Sequence, residues 1–202
     1  MEREKESPFF LKNKTQVFTN KSLAPEVIAI HVVRKRMARE KPCDCVTIRT
    51  NFGIEGDYRS GKYQTGQITL IEAEIMDTVS HKLGYKVPYG KSRRQIMVRG
   101  ISLEDVTGNL LRLGTVTVEV EEKCKPCNNM ETRIGAGAKD AMEGKGGIRC
   151  RVIKGGRLCV GDTVTIEDAS WSWFRQLLKL PRKYLYYALR ILDGHNTVRS
   201  IT

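Results

Sequence analysis

The chain has 202 residues, 40% of them hydrophobic, so it can bury one sizeable core and falls outside the compositions that stay disordered. No run of about 18 apolar residues occurs, which excludes a spanning helix. The formal net charge of +12 implies an anionic partner: nucleic acid, a membrane surface or a phosphorylated small molecule.

Residues 1–24 read as a polar, lysine-rich arm. Its opening, MEREKESPFF, lacks the apolar stretch of a secretory signal, so a cytoplasmic location is expected, with the six cysteines free, catalytic or metal-bound rather than bridged. A strand is predicted over VIAIHVVRK (27–35), then two strand-like stretches around a loop punctuated by Gly53, Gly56, Gly61 and Gly66. In EAEIMDTVSHKLG (72–84), apolar residues at 75, 76, 79 and 83 form a helical stripe that stops at Gly84. In GTVTVEVEE, Val116, Val118 and Val120 alternate with polar residues, as in a strand with one buried face. Short strands joined at Gly155–Gly156 and Gly161–Asp162 follow. Many short strands, regular glycine turns and one internal helix predict a mainly β fold, a closed, distorted barrel over 25–168.

Composition changes near residue 169. Both tryptophans and six of the fourteen aromatic residues lie beyond it, and apolar positions 174, 177, 178, 185, 189 and 192 keep helical spacing. The segment 169–202 is expected to be an amphipathic helical tail, packed on the barrel or a second subunit, or lying on a membrane surface.

Chemistry concentrates at EKCKPCNN, where Cys124 and Cys127 sit three apart at the end of the long strand. Three readings fit the pair. A four-ligand zinc site would need Cys43 and Cys45 as its other half, and neither their spacing nor the histidines at 31, 81 and 195 support one, so no zinc is expected. A redox dithiol would need a helix start, for which NNMETRIGAG is a poor sequence. In the third, Cys127 is a single reactive thiol whose thiolate is favoured by nearby cations. Cys150 and Cys159 alternate with apolar residues and read as small core residues. Around GIEGDYRSG and SRRQIMVRG, glycine amides and arginines suggest an anion cradle; Lys145 and Arg149 in MEGKGGIRC add to it, although P-loop spacing fails. A nucleic-acid-binding barrel is the rival from another class, but residues 92–166 contain no aromatic side chain for bases to stack on.

Taken in order, GIEGDYRSG (53–61), GQITLIEAE (66–74), SRRQIMVRGISLEDV (92–106), LRLGTVTVEVEEKCKPC (111–127) and GKGGIRCRVIKGGRLCVGDTV (144–164) resemble the MOSC domain, named for the C-terminal part of molybdenum-cofactor sulfurases. The resemblance covers roughly 25–168 and is to a stand-alone prokaryotic member, without the pyridoxal-phosphate-dependent half. It implies a distorted barrel that binds the molybdenum cofactor, with Cys127 carrying sulfur as a persulfide or ligating molybdenum. It also implies that Arg94 holds the pterin phosphate; Arg93, Lys145 and Arg149, read from the residues as parts of the anion cradle, are the other candidate cofactor-binding side chains. Gly53, Gly56 and Asp57 form the family's G-x-x-GD block, with Asp57 a polar pocket residue. Cys124 is not general to the family and is a candidate resolving thiol. Two departures stand out: Tyr58 and Arg59 follow Asp57 where a His is frequent, and Gln95 replaces the usual Asn. The implied partners are a phosphorylated pterin and a cysteine desulfurase. The alternative is a reductase of N-hydroxylated compounds served by a separate electron donor, so the sequence leaves open whether the chain is a sulfurtransferase or an oxidoreductase.

Overall fold

The structure, a computed structural model, describes residues 24–167. The expected arm up to residue 23 and the helical tail beyond 168 lie outside the described residues. In chain order the strands are β1 (Glu26–Val32), β2 (Lys41–Cys43), β3 (Cys45–Arg49), β4 (Gly53–Ile54) and β5 (Ile68–Glu72). Helix α1 (Ala73–Leu83) and a 3-10 turn (Tyr89–Ser92) lead to β6 (Ile96–Arg99), β7 (Leu110–Leu113) and β8 (Val116–Lys123). Short helices α2 (Asn128–Ile134) and α3 (Ala138–Ala141) precede β9 (Ile148–Lys154), β10 (Gly156–Cys159) and β11 (Val164–Glu167).

Eight strands form one sheet in the order β11-β7-β8-β9-β5-β6-β1-β2, and β10-β3-β4 form a second. All pairings are antiparallel except β5–β6, which α1 connects as a crossover. The expected barrel is not a continuous ladder. Instead, β1 meets the segment before β11 through the Glu26–Thr163 bridge and the bonds from Val27 N to Asp162 O (2.9 Å) and Gly161 N to Val27 O (2.7 Å). The mainly β expectation holds.

Alternation decides where the core sits. On β8, Val116, Val118 and Val120 are buried and the residues between them are not, as the sequence pattern predicts. They join Ile30, Ile68, Leu70, Ile96, Ile148 and Val152 in the main core. β5 departs from alternation because both its faces are covered: Ile71 and Met97 of β6 turn the other way, onto Met76 and Val79 of α1. Helix α1 ends as predicted at Gly84, whose φ of 73° suits a residue without Cβ.

Two expectations are corrected. The reading of one internal helix missed α2 and α3; at seven and four residues they are too short to show a period. The reading of Cys45 as free and Cys159 as a small core residue also fails. The register of β3 and β10 places Cys159 opposite Cys45, and a disulfide joins them. Nothing local in the sequence reveals a pairing across 114 positions. Cys43, Cys124, Cys127 and Cys150 are free.

Because that bond closes a long loop, reductant is expected to lower the urea unfolding free energy by up to about 5 kcal/mol on a chain-entropy basis. A Cys45→Ser/Cys159→Ser variant should unfold at the same urea concentration with and without reductant.

Candidate functional site

The site forms where β6 begins and β8 ends. Tyr89–Ser92 turn sharply into β6, and Arg93 closes the turn with a left-handed φ of 61°. A regular strand would send Arg93 and Arg94 to opposite faces. The left-handed residue breaks that alternation, and both arginines line one cleft of about 550 Å³. Ser92, Tyr58, Arg59, Lys62, Arg36, Cys127, Met130, Arg133 and Arg149 line it with them.

Arg94 is the decisive cation. Its Nε donates to Gly146 O at 2.7 Å, and no carboxylate pairs with it among the described residues. Burial pulls its guanidinium below the ordinary value, while negative charge on Cys124 and Cys127 would push it back up. Arg94 thus sits close to both thiols. Gly146, its acceptor, packs against the chain at Cys124: a Cβ there would meet Cys124 O at 2.1 Å. Glycine at 146 is therefore what allows the GKGG segment to lie against the end of β8.

The other arginines are restrained by carboxylates. Asp57 is 5% exposed and grips Arg59 through Oδ1 to Nε (2.9 Å) and Oδ2 to Nη2 (3.0 Å), while accepting the amides of Arg59 and Val33. Burial alone would raise the Asp57 pKa. The Arg59 hydrogen bond and charge and the two amides outweigh it and hold the carboxyl below its ordinary range. Glu40 binds Arg133 of α2 at 2.8 Å and Arg93 at 3.5 Å, which ties α2 to the loop after β1. Glu122 binds Arg149 at 2.7 Å and raises its pKa.

The two neighbouring cysteines differ. Cys127 is exposed, occupies the N-cap position of α2 without a side-chain capping bond, and lines the cleft. The sequence reading of a poor helix start is overturned, since the helix begins right after Cys127. Cys124 is buried; burial pushes its thiol up, against the pull of Arg94 and Arg149. Cys150 lies deep in the core and its thiol is pushed up further. The half-site pairing of Cys43 and Cys45 for zinc is excluded because Cys45 is in the disulfide.

The structure thus brings Cys127, Arg93, Arg94 and Arg149 together at the cleft. Asp57 stands behind it, holding Arg59 in position. Gly53 and Gly56 shape the turn before Asp57, with φ of 107° and 79°, and do not line the cleft. Lys145 lies elsewhere, on a small separate cavity with Glu72, Glu104 and Lys123. Sequence reasoning missed Arg36, Arg133, Lys62 and Tyr58 as cleft residues. The basic run RKRMARE after β1 was the available signal for Arg36. Gln95, the departure from the usual Asn, is fully buried and accepts the Thr69 amide at 2.9 Å through Oε1. It therefore serves the core rather than the cleft.

The sequence profile of the MOSC domain matches residues 55–165. The chain belongs to the MOSC domain family. Solved structures share the MOSC fold at low identity. The YuaD protein from Bacillus subtilis is 15% identical with a TM-score of 0.62, covering 72% of this chain and 97% of that one. YiiM from Geobacillus stearothermophilus is 17% identical with a TM-score of 0.56, covering 71% and 75%. YiiM from Escherichia coli is 16% identical with a TM-score of 0.54, covering 84% and 94%. No curated protein matches the chain in sequence.

Exposure sets thiol access in this MOSC domain. Iodoacetamide on the native protein should label Cys127 first, leaving Cys124 and Cys150 unlabelled until urea is added, as peptide mass spectrometry would show. Asp57 sets an acid dependence. Its folded pKa is depressed, so its stabilisation is complete above the ordinary carboxylate value of about 3.9 and is lost as pH falls below it. Asp57→Asn should cost about 3 kcal/mol at pH 7. Urea titrations should show the gap to wild type narrowing below about pH 4.

Proposed function

We propose that the protein binds the molybdenum cofactor in this cleft and uses Cys127 to carry sulfur for it or to ligate its metal. One observation carries the reading: in a MOSC-family chain, an exposed thiol and a guanidinium with no carboxylate partner among the described residues line the same cleft. The donor set suits such a group. A thiolate is soft and suits molybdenum or sulfane sulfur, and an unpaired, largely enclosed guanidinium suits a phosphate monoester.

In this reading Arg94 holds the phosphate, with its orientation fixed by the bond to Gly146 O. The cofactor, when bound, supplies the redox-active metal and its dithiolene sulfurs. Cys127 lies near the guanidinium of Arg94, on the same cleft. For sulfur carriage, the Cys127 thiolate attacks the outer sulfur of a persulfide on a donor protein such as a cysteine desulfurase. The donor leaves as a thiolate, Cys127 becomes the persulfide, and no outside oxidant is required. In this reading Cys124 is the resolving thiol: once deprotonated it attacks the inner sulfur of the Cys127 persulfide, forming a Cys124–Cys127 disulfide and releasing hydrosulfide.

The test is metal and pterin analysis of protein made in a host that synthesises the cofactor. Co-purifying molybdenum that is lost in Cys127→Ala and kept in Cys124→Ala would support ligation. Cyanide-releasable sulfur that disappears in Cys127→Ala, without molybdenum, would support carriage. If neither molybdenum nor sulfur follows Cys127, the reading fails.

A further inference from the structure

The cleft carries more positive charge than one phosphate calls for, and the surplus is not at Arg94. Seven cationic side chains line it: Arg36, Arg59, Lys62, Arg93, Arg94, Arg133 and Arg149. Among the described residues only three carboxylates touch them, Asp57, Glu40 and Glu122, which leaves Arg36, Lys62 and Arg94 without an anion and Arg93 sharing Glu40 with Arg133.

Lys62, Arg59 and Arg93 cluster around Tyr58. Its ring lies 5.4 Å from the Lys62 ammonium, 5.4 Å from the Arg59 guanidinium and 5.9 Å from the Arg93 guanidinium. Its hydroxyl accepts from Arg93 Nη2 at 3.3 Å. Arg93 also donates to Ala38 O at 3.2 Å, and with Glu40 it holds the loop that brings Arg36 to the cleft. Arg59 joins this cluster to Arg94, since its Nη1 donates to Arg93 O at 3.2 Å and its charge is felt at Arg94. Like charges held this close repel one another, so in the absence of a ligand the arrangement is costly. An anion placed among Arg36, Lys62 and Arg93 relieves that repulsion.

We propose that Lys62 and Arg93, gathered on Tyr58, together with Arg36 of the same cleft, form a second anion subsite next to Arg94. The cleft then takes a ligand in which the phosphate on Arg94 is linked to a second phosphoryl group. This rests on the reading of the cleft as the ligand site, but not on molybdenum or on Cys127. One phosphoryl group sits on Arg94 beside the thiol, and the second sits between Arg93, Lys62 and Arg36. Two chemistries share this feature: a terminal diphosphate and a pyrophosphate bridge between two organic groups.

The experiment is calorimetric titration of the full chain at fixed ionic strength with orthophosphate and with pyrophosphate. Pyrophosphate should bind roughly tenfold or more tightly than orthophosphate, as expected for additional charge-assisted bonds. Arg36→Ala/Lys62→Ala should abolish that preference. Both side chains are exposed, and an unaltered thermal melt would confirm folding of the variant. Arg94→Ala should weaken both anions. A nucleoside diphosphate and a dinucleoside pyrophosphate then separate the two chemistries: the tighter of them identifies which one the subsite accepts. Equal affinity for orthophosphate and pyrophosphate, no measurable binding of either, or a preference that survives the double variant would overturn the proposal. Cys127→Ser should keep the preference. A failure of the thiol chemistry, with the pyrophosphate preference intact, would therefore count against the function above and not against the subsite.

Discussion

A guanidinium taken largely out of water without a carboxylate is the constraint on which this site depends. Such a group is costly unless other dipoles or a ligand meet it. Arg94 has one fixed partner, the Gly146 carbonyl, and two thiols close by. The bond ties the start of β6 to the segment before β9, and Gly146 in turn rests on the chain at Cys124. Three stretches far apart in sequence are thereby fixed together: the Arg93–Arg94 turn, the end of β8 with its cysteines, and the GKGG segment. The charge left over on Arg94 belongs to whatever enters the cleft.

The remaining cations show two treatments. Arg59 is locked by Asp57, whose carboxylate also accepts two backbone amides, and Arg133 and Arg149 are held by Glu40 and Glu122. These pairs are partly structural: they close the glycine loop, tie α2 to the loop after β1 and brace β8 against β9. Arg36, Lys62 and Arg94 have no such partner among the described residues. A cleft in which some cations are neutralised and others are not is polarised before any ligand arrives, and cations held in place need little reorganisation on binding.

The thiols follow the same logic of burial. Cys127 ends up exposed because it follows Pro126 and occupies the N-cap position of a short helix rather than continuing β8. Cys124, three positions earlier, still pairs its amide with Gly147 O at 2.7 Å and is enclosed. A difference of three residues therefore separates an accessible nucleophile from a protonated neighbour. Cys45 and Cys159 are removed from this chemistry by their disulfide on the second sheet.

Much of this was present in the order of residues alone. The Val116–Val118–Val120 alternation, the helical stripe ending at Gly84 and the glycine turns specified a mainly β chain with α1, because strand and helix periods are local properties. The blocks around Asp57, Arg94 and Cys127 were enough to name the MOSC family and to single out Cys127, Arg93, Arg94 and Arg149. The sequence could not show that Asp57 serves Arg59, that Lys145 turns to another cavity, or that Arg36, Lys62 and Tyr58 join the cleft. Nor could it show the Cys45–Cys159 bond. Each of these depends on which strand lies beside which, and in what register. That is decided by burial and ladder pairing across the whole chain, so only the tertiary structure sets which charges meet a partner and which remain for a ligand.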